Sequence, residues 1–444
     1  MGTRRPTIVK RSAHTVSRKD IDPDALSVLR HLNRSGHKAY LVGGGVRDIL
    51  LGHKPKDFDI STDAEPPQIK RLFRNCFLVG RRFRLAHIRF GANKVIETST
   101  FRKTPENTGS DTPAPGGMVQ WDDNEFGTPE EDARRRDFTI NALFYDLSDF
   151  SLIDHVGGLS DLHKGLIRSI GDPNVRFRED PVRMIRAVRF AARLGFRIEG
   201  ATSKAIIRHH ADISHASPAR LLDEIYKLFS FHSAEASFFL LWDLKLLSAM
   251  LPEVDAYVKG SGGADAPLWR YLAALDSGEH WPDKPAPALM LGTVLCDPVM
   301  RSLAASRKPD GGDNDAVLID RFIAPIALRY KIPKAVRFGL VRLLENQIRM
   351  DQAAGGPADG KGRRRTSVKR IVHHDSFAES LALLEIRAAS GAAEPETLWY
   401  WKQAAESDSA NPDSHAPAAG TDSGTTPRRR RRRRRKPDHA PSDS

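Results

Sequence analysis

Residues Tyr40 to Asp59 read YLVGGGVRDILLGHKPKDFD, and the rest of the chain is organised around them. Tyr40-Leu41-Val42 is a short β-prone run. Gly43-Gly44-Gly45 follows, where the backbone can turn tightly and approach a ligand closely. Val46 to Leu51 then predicts a short helix closed by Gly52. The start of such a helix offers unpaired N–H groups and a partial positive charge, which suits a phosphate chain. Asp57-Phe58-Asp59-Ile60 predicts a second strand. Strand side chains alternate, so Asp57 and Asp59 would share one face while Phe58 enters the core. Two strand rises place their Cα atoms about 7 Å apart. Carboxylates so placed can jointly hold Mg²⁺ or Mn²⁺ between a nucleoside triphosphate and an attacking hydroxyl. A glycine turn alone is a turn, and an Asp-x-Asp alone is a solvated strand face. Both within one short stretch, with Arg47 and Asp48 between them, form a specific combination.

The bulk properties agree with a partner that is a polyanion. A chain of 444 residues predicts two or three domains, and 40% apolar residues suffice for their cores. The net charge is +13, and nine of those charges are Arg428, Arg429, Arg430, Arg431, Arg432, Arg433, Arg434, Arg435 and Lys436, which leaves +4 for everything else. The two cysteines, Cys76 and Cys296, show no metal-ligand spacing and suit a reducing cytoplasm. No apolar run is read as approaching the roughly 20 residues of a membrane span. The Arg- and Ser-containing start, acid-poor up to Asp20, lacks the apolar face of a transit peptide and reads as a disordered basic leader.

GGGVRD followed by DFD resembles the nucleotidyltransferase core of the bacterial poly(A) polymerase and CCA-adding enzyme family. Three further stretches carry the resemblance, which covers about residues 15 to 405. The first is GRRFRLAHI, residues 80–88. On charge alone, Arg81, Arg82 and Arg84 make an exposed basic strand edge. By resemblance this segment separates poly(A) polymerases from CCA-adding relatives, whose version is less basic, and the arginines are expected to touch RNA. The second is RRDFT, residues 135–139. Alone it could be a helix-surface ion pair. The resemblance implies Arg136 near the phosphates and Asp137 near the ribose, a contact that would favour ATP over dATP. The third is REDPVRMIRAVRFAARLGF, residues 178–196. Asp180 stands at an N-cap position, Pro181 at N1 and Gly195 at the helix end, with Arg183 and Arg186 on one face. By resemblance Asp180 accepts from an exocyclic amine and Arg183 donates to a ring nitrogen of the incoming base. Adenine and cytosine present similar edges, so these two residues leave ATP against CTP open.

Lys94 to Arg102 predicts another strand, whose Glu97 is a candidate third carboxylate if that strand pairs beside the Asp strand. A surface ion pair is the alternative. Residues 104–124, rich in Pro, Gly, Asp, Ser and Thr, predict a mobile loop or disordered insert. From about residue 199 the pattern is helical. A basic cluster of Arg363, Arg364, Arg365, Lys369 and Arg370 could meet an RNA backbone or start a helix, and the Trp399-Tyr400-Trp401 run reads as the anchor of the last helix. Beyond residue 404 the composition cannot build a core. The Arg run there would bind RNA phosphates without sequence preference and weaken steeply with salt.

The expected class is α+β: a nucleotidyltransferase α/β head followed by all-α neck, body and tail regions. The boundaries read as leader 1–20, head 21–153, neck 154–225, helical body 226–404 and disordered tail 405–444. The resemblance implies a polynucleotide adenylyltransferase that moves AMP from ATP to RNA 3′ ends in poly(A) tailing, RNA processing and decay, with decay-machinery proteins as partners. Asp57 and Asp59 would hold the metal, with Glu97 or Asp137 as the third acidic group. Gly43, Gly44, Arg47 and Asp48 would surround the phosphates, and Arg186 would join the nucleotide-binding set. A CCA-adding tRNA nucleotidyltransferase and a non-catalytic RNA-binding protein are the alternatives.

Overall fold

The computed structural model describes residues 5–80, 84–91, 93–103, 125–278, 285–306, 314–355 and 368–409. Arg81, Arg82, the insert at 104–124, Arg363 to Arg365 and the Arg run at 428–435 lie outside the described residues.

The head is an eight-stranded sheet in the order β1-β8-β7-β2-β3-β6-β5-β4. Its strands are β1 (Thr7–Val9), β2 (Ala39–Val42), β3 (Asp59–Thr62), β4 (Cys76–Val79), β5 (Leu85–Phe90), β6 (Lys94–Thr100), β7 (Leu143–Asp146) and β8 (Leu152–Asp154). The helices of the head are α1 (Pro23–Arg34), α2 (Gly44–Leu50), α3 (Pro66–Leu72) and α4 (Pro129–Arg135). α1 starts where Asp22 accepts from the Asp24 N–H at 2.9 Å and Pro23 occupies the first turn. It buries Ala25, Leu26, Val28, Leu29 and Leu32. α3 starts with a capping box between Glu65 and Gln68. Both pack on the sheet face that carries Ile60, Cys76, Ala86, Ile88 and Ile96. On the opposite face a smaller cluster of Val42, Phe101, Ala133, Ala142, Phe144 and Ile170 lies over β2 and β7.

Two boundaries differ from expectation. The leader at 1–20 was expected to be disordered, yet Thr7, Ile8 and Val9 pair antiparallel with Asp154, Ile153 and Leu152. These three β-prone residues find an unpaired sheet edge, so the head takes up most of the leader as well as 21–153. Asp154 then closes the head. Its carboxylate accepts from the N–H groups of Val156, Gly157, Gly158 and Leu159 at 2.8–3.0 Å. Gly158 leaves no room for a Cβ against the Thr139 carbonyl, which explains a glycine at the hinge.

The neck holds α5 (Gly158–His163), α6 (Pro173–Glu179), α7 (Val182–Leu194), α8 (Gly200–His209) and α9 (Pro218–Lys227). α7 buries Val182, Met184, Ile185, Ala187, Val188, Phe190 and Ala191 and ends at Gly195, whose φ is 65°. Its opposite face carries the arginines considered below. The body beyond is helical, and one continuous hydrophobic core runs from the head through the neck to residue 386. Helix Pro287–Ser306 is long and apolar enough by composition to cross a membrane, against the expectation of no such run. It is a core helix: Leu289, Met290, Val294, Leu295, Cys296 and Val299 are buried in that core. Cys76 and Cys296 are free and buried. Trp401 is fully buried and donates its Nε1–H to the Met350 carbonyl at 3.1 Å, so it anchors the last helix as expected, while Trp399 is exposed.

Candidate active site

A cavity of about 930 Å³ lies between the sheet, α7 and α9. Its head side is lined by Gly43, Gly44, Gly45, Arg47, Asp48, Lys56, Asp57, Asp59, Glu97, Arg136, Asp137 and Asn141. Its neck side adds Asp180, Arg183, Arg186, Arg189, Arg193, Arg220 and Glu224. Residues more than a hundred positions apart in sequence therefore line one cavity.

The glycine turn works by clearance. Gly43 has φ 73° and ψ −138°, a conformation open essentially to glycine alone. A Cβ there would stand 3.2 Å from Arg136 Nη1 and 3.7 Å from Asp59 Oδ2. A Cβ on Gly45 would stand 3.3 Å from the Asp57 carbonyl. The bare turn thus lets both aspartates and Arg136 close on α2. β3 begins at Asp59 rather than at Asp57, so the two carboxylates do not share a face by strand alternation. Asp57 sits exposed in the loop before the strand, and both still reach the cavity.

Glu97 meets the condition set for it. β3 and β6 run parallel with Asp59 opposite Glu97. Burial pushes the Asp59 carboxyl up, Glu97 and Asp57 push it further, and Arg136 opposes them, leaving it at about 6. Crowded carboxylates of this kind relax when a cation joins them, and an all-oxygen donor set fits a hard divalent ion such as Mg²⁺ or Mn²⁺. Among the described residues no three His, Cys, Asp or Glu side chains close into a ready-made metal cage. Glu97 is half exposed and turns one oxygen to within 3.7 Å of His87 Nε2.

Asp137 is placed differently. Its Oδ2 accepts from Arg186 Nε at 2.8 Å and Nη2 at 2.6 Å. Its Oδ1 accepts from the Phe138 N–H at 2.8 Å and from Asn141 Nδ2 at 3.1 Å. Burial raises this carboxyl, but Arg186, Asn141 and the Phe138 N–H outweigh it and hold the group at about 2. Four donors fill the roughly four lone-pair sites of a carboxylate. A ribose or a metal would have to displace one of them.

Arg47 and Arg186 are likewise engaged. Arg47 is buried, donates Nε and Nη2 to Asp48 Oδ1 at 2.8 and 2.6 Å, and donates Nη1 to Asn141 Oδ1 at 2.6 Å. Asp48 Oδ2 accepts from Arg193 at 2.8 Å. A closed chain results: Arg186, Asp137, Asn141, Arg47, Asp48, Arg193. It begins and ends on α7, two turns apart, and passes through the head in between. Arg136 is held by Asp132 at 3.0 Å and Ser61 at 3.2 Å while remaining on the cavity wall.

Asp180 does not cap α7 with its side chain; the cap position is Pro181, and the Asp180 carboxylate takes a hydrogen bond from Arg220 at 2.8 Å. Arg183 Nη1 stands 3.5 Å from Glu179 and is buried without a hydrogen-bond partner. The residue itself lines the cavity. Arg189, Arg193, Lys56, Arg220 and Glu224 were missed by sequence reasoning. Arg189 and Arg193 continue the Arg183, Arg186 series at steps of three and four along α7, a signal that was present. Arg189 pairs with Glu224 at 2.8 Å. Arg84 is exposed, just before β5.

Three family models match parts of the chain. Residues 39–168 match the family model described as Poly A polymerase head domain. Residues 195–258 match one described as Probable RNA and SrmB- binding site of polymerase A, and 317–436 one described as Polymerase A arginine-rich C-terminus. Poly(A) polymerase I of Escherichia coli O157:H7 is 39% identical over 393 residues, covering 86% of this chain and 82% of the relative. A CCA-adding enzyme of Geobacillus thermodenitrificans is 37% identical over 257 residues, 58% of this chain and 61% of the relative. Among solved structures, the Bacillus stearothermophilus CCA-adding enzyme in complex with CTP superposes with a TM-score of 0.61 at 24% identity, over 87% of this chain and 83% of that one. That likeness shows the shared fold.

Proposed function

The chain belongs to the bacterial poly(A) polymerase family and is a nucleotidyltransferase that adds adenylate to RNA, and from that premise we propose how its cavity divides the work. The nucleotide is ATP and the divalent ion Mg²⁺ or Mn²⁺. Asp57 and Asp59 would hold the ion, with Glu97 as the third acidic group. The register of Glu97 against Asp59 and the fourfold engagement of Asp137 support that choice. When bound, the ion neutralises triphosphate charge and lowers the pKa of the RNA 3′-hydroxyl. Gly43 and Gly44 give the phosphates clearance, and Arg136 faces them from across the turn. Asp180 and Arg183 read the base edge, with the Arg183 guanidinium as donor; both line the cavity. Asp137, Arg47, Asp48 and Arg186 are positioning residues that hold α2 and the RRDFT segment against α7. The hydroxyl oxygen then joins the α-phosphorus in line as the bond to pyrophosphate breaks. The two free, buried cysteines suit work in a reducing cytoplasm, on RNA 3′ ends and beside RNA-decay proteins.

The observation that carries this reading is that one cavity joins the Asp57, Asp59 and Glu97 carboxylates to Asp180 and Arg183. Purified protein given ATP or CTP with an unstructured RNA should build a ladder of A additions and use CTP poorly. Asp57→Ala and Asp59→Ala should each lower AMP transfer by on the order of a thousandfold, several kcal/mol of barrier, with RNA binding retained. Undiminished transfer in both variants overturns the assignment.

A further inference from the structure

The sheet face that carries Asp59 continues past the cavity to an open edge. β4 is the last strand of the sheet. Phe77 on β4 lies opposite His87 on β5, His87 opposite Glu97 on β6, and Glu97 opposite Asp59 on β3. Four neighbouring strands therefore present one row on one face, and the row ends at the catalytic carboxylates. Strands about 4.8 Å apart set Phe77 about 14 Å from Asp59.

The composition of this face is unusual for a sheet surface. Phe77 is 49% exposed, Val79 45% and Val95 39%. The Arg89 guanidinium carbon stands 4.7 Å from the Phe77 ring centroid and Lys70 Nζ stands 5.2 Å from it. Lys70 also donates to the Cys76 carbonyl, which fixes it against β4. Exposed Arg84 adds charge at the start of β5. An open apolar patch marks a recognition surface. An aromatic ring flanked by fixed cations is how sequence-tolerant sites hold single-stranded nucleic acid: the ring stacks a base and the cations meet phosphates. The positive charge and the continuity with the carboxylates favour RNA over a protein as the occupant.

We propose that the open face of β4, β5 and β6 is the track for the acceptor strand just upstream of its 3′ end. One base stacks on Phe77, Arg89 and Lys70 meet the adjoining phosphates, and the strand passes His87 so that the terminal ribose reaches Glu97 and Asp59. The proposal rests on the reading of Asp57 and Asp59 as catalytic. At roughly 3.4 Å per stacked nucleotide, the row is spanned by about four nucleotides, so the subsite is out of reach of a dinucleotide acceptor.

The test uses the full chain with ATP, comparing an oligoadenylate of fifteen or so nucleotides with a dinucleotide acceptor. Losing one stacked base predicts that Phe77→Ala raises KM for the long acceptor roughly 5- to 150-fold. The KM for ATP, the kcat and the dinucleotide kinetics should not move. Phe77→Trp should keep the wild-type KM, and Arg89→Ala should lower the salt dependence of long-RNA binding by about 0.7 in log–log slope. Unchanged long-acceptor KM in Phe77→Ala overturns the track and gives the patch to a protein partner. An equal loss on both acceptors also overturns it, as that is a damaged active site. Asp59→Ala run alongside separates the two levels. If it stays active, the catalytic reading has failed. If it is inactive while Phe77→Ala is normal, only the track has failed.

Discussion

Replacing Arg186 with Met tests whether the closed arginine–carboxylate chain holds the site together. The change removes both Oδ2 donors of Asp137 and leaves only Phe138 N–H and Asn141 on its Oδ1. Asp137 stands at about 2 in the folded protein against an ordinary 3.8. At about 1.36 kcal/mol per unit, that difference corresponds to roughly 2.4 kcal/mol of stability at neutral pH. Removing one member of a buried pair strands the other at a typical cost of about 3–5 kcal/mol, and with the Arg186 side chain 31% exposed the low end applies. A local destabilisation of about 3 kcal/mol is therefore expected at pH 7. The sign follows from a depressed carboxyl: its stabilisation is complete above the unfolded value of 3.8 and is lost as pH falls toward 2. The gap between wild type and variant should accordingly narrow below about pH 4. Hydrogen exchange of peptides spanning residues 134–146, corrected for intrinsic rates, reads this without assuming a single unfolding transition for a chain of several parts. Arg186→Lys keeps a charge but not the planar fork and should fall between the two. Equal protection in wild type and Arg186→Met at pH 7 refutes the reasoning, as does a gap that is constant down to pH 3.

Gly43→Ala should cost about 1–3 kcal/mol through its backbone conformation alone, and its Cβ, 3.2 Å from Arg136 Nη1, should lower kcat more than it raises KM for RNA; urea unfolding and steady-state kinetics measure both. Asp59→Asn should abolish transfer while stabilising the cation-free protein by up to about 3 kcal/mol at pH 7, because a carboxyl raised to about 6 works against folding wherever it is charged. That advantage should disappear as pH falls through 6 toward 3.8, and equal stability of the two proteins at pH 7 would contradict the raised Asp59 value.

What could be read from sequence divides along the range of the interaction. The glycine turn and the α7 stop at Gly195 are local devices, and each is found where its residues stand. The pairing of β1 with β8 joins residues nearly 150 positions apart, and nothing within Thr7–Val9 names its partner. For the same reason Glu97 could be proposed as a third carboxylate but not chosen. The choice depends on a parallel register between strands separated by α3, β4 and β5. Asp180 is the reverse case. Its local context spells a helix cap, yet its side chain leaves for Arg220, forty residues on, and a tertiary charge outweighs the cap.

The arginines of α7 show why motif matching and physical role can part. Arg183, Arg186, Arg189 and Arg193 look from sequence like one basic stripe facing a polyanion. In the fold each is paired with a carboxylate, Glu179, Asp137, Glu224 and Asp48, and Glu179, Glu224 and Asp48 are shared with further cations. Pairing of this kind fixes the side chains in place, and the Asp137 and Asp48 pairs tie α7 to the head. The cavity spans that junction, with Asp59 and Glu97 on the sheet and Asp180 and Arg183 at the start of α7. Arg183 is the least tightly held of the four. Its pairing with Glu179 is the loosest of the four at 3.5 Å, and its Nη1 is buried without a hydrogen bond. A buried donor left unmatched typically costs about 1–3 kcal/mol, a cost that the nearby Glu179 charge offsets in part. Of the three tight pairs, Arg186–Asp137 and Arg193–Asp48 tie α7 to the head, and Arg189–Glu224 ties α7 to α9.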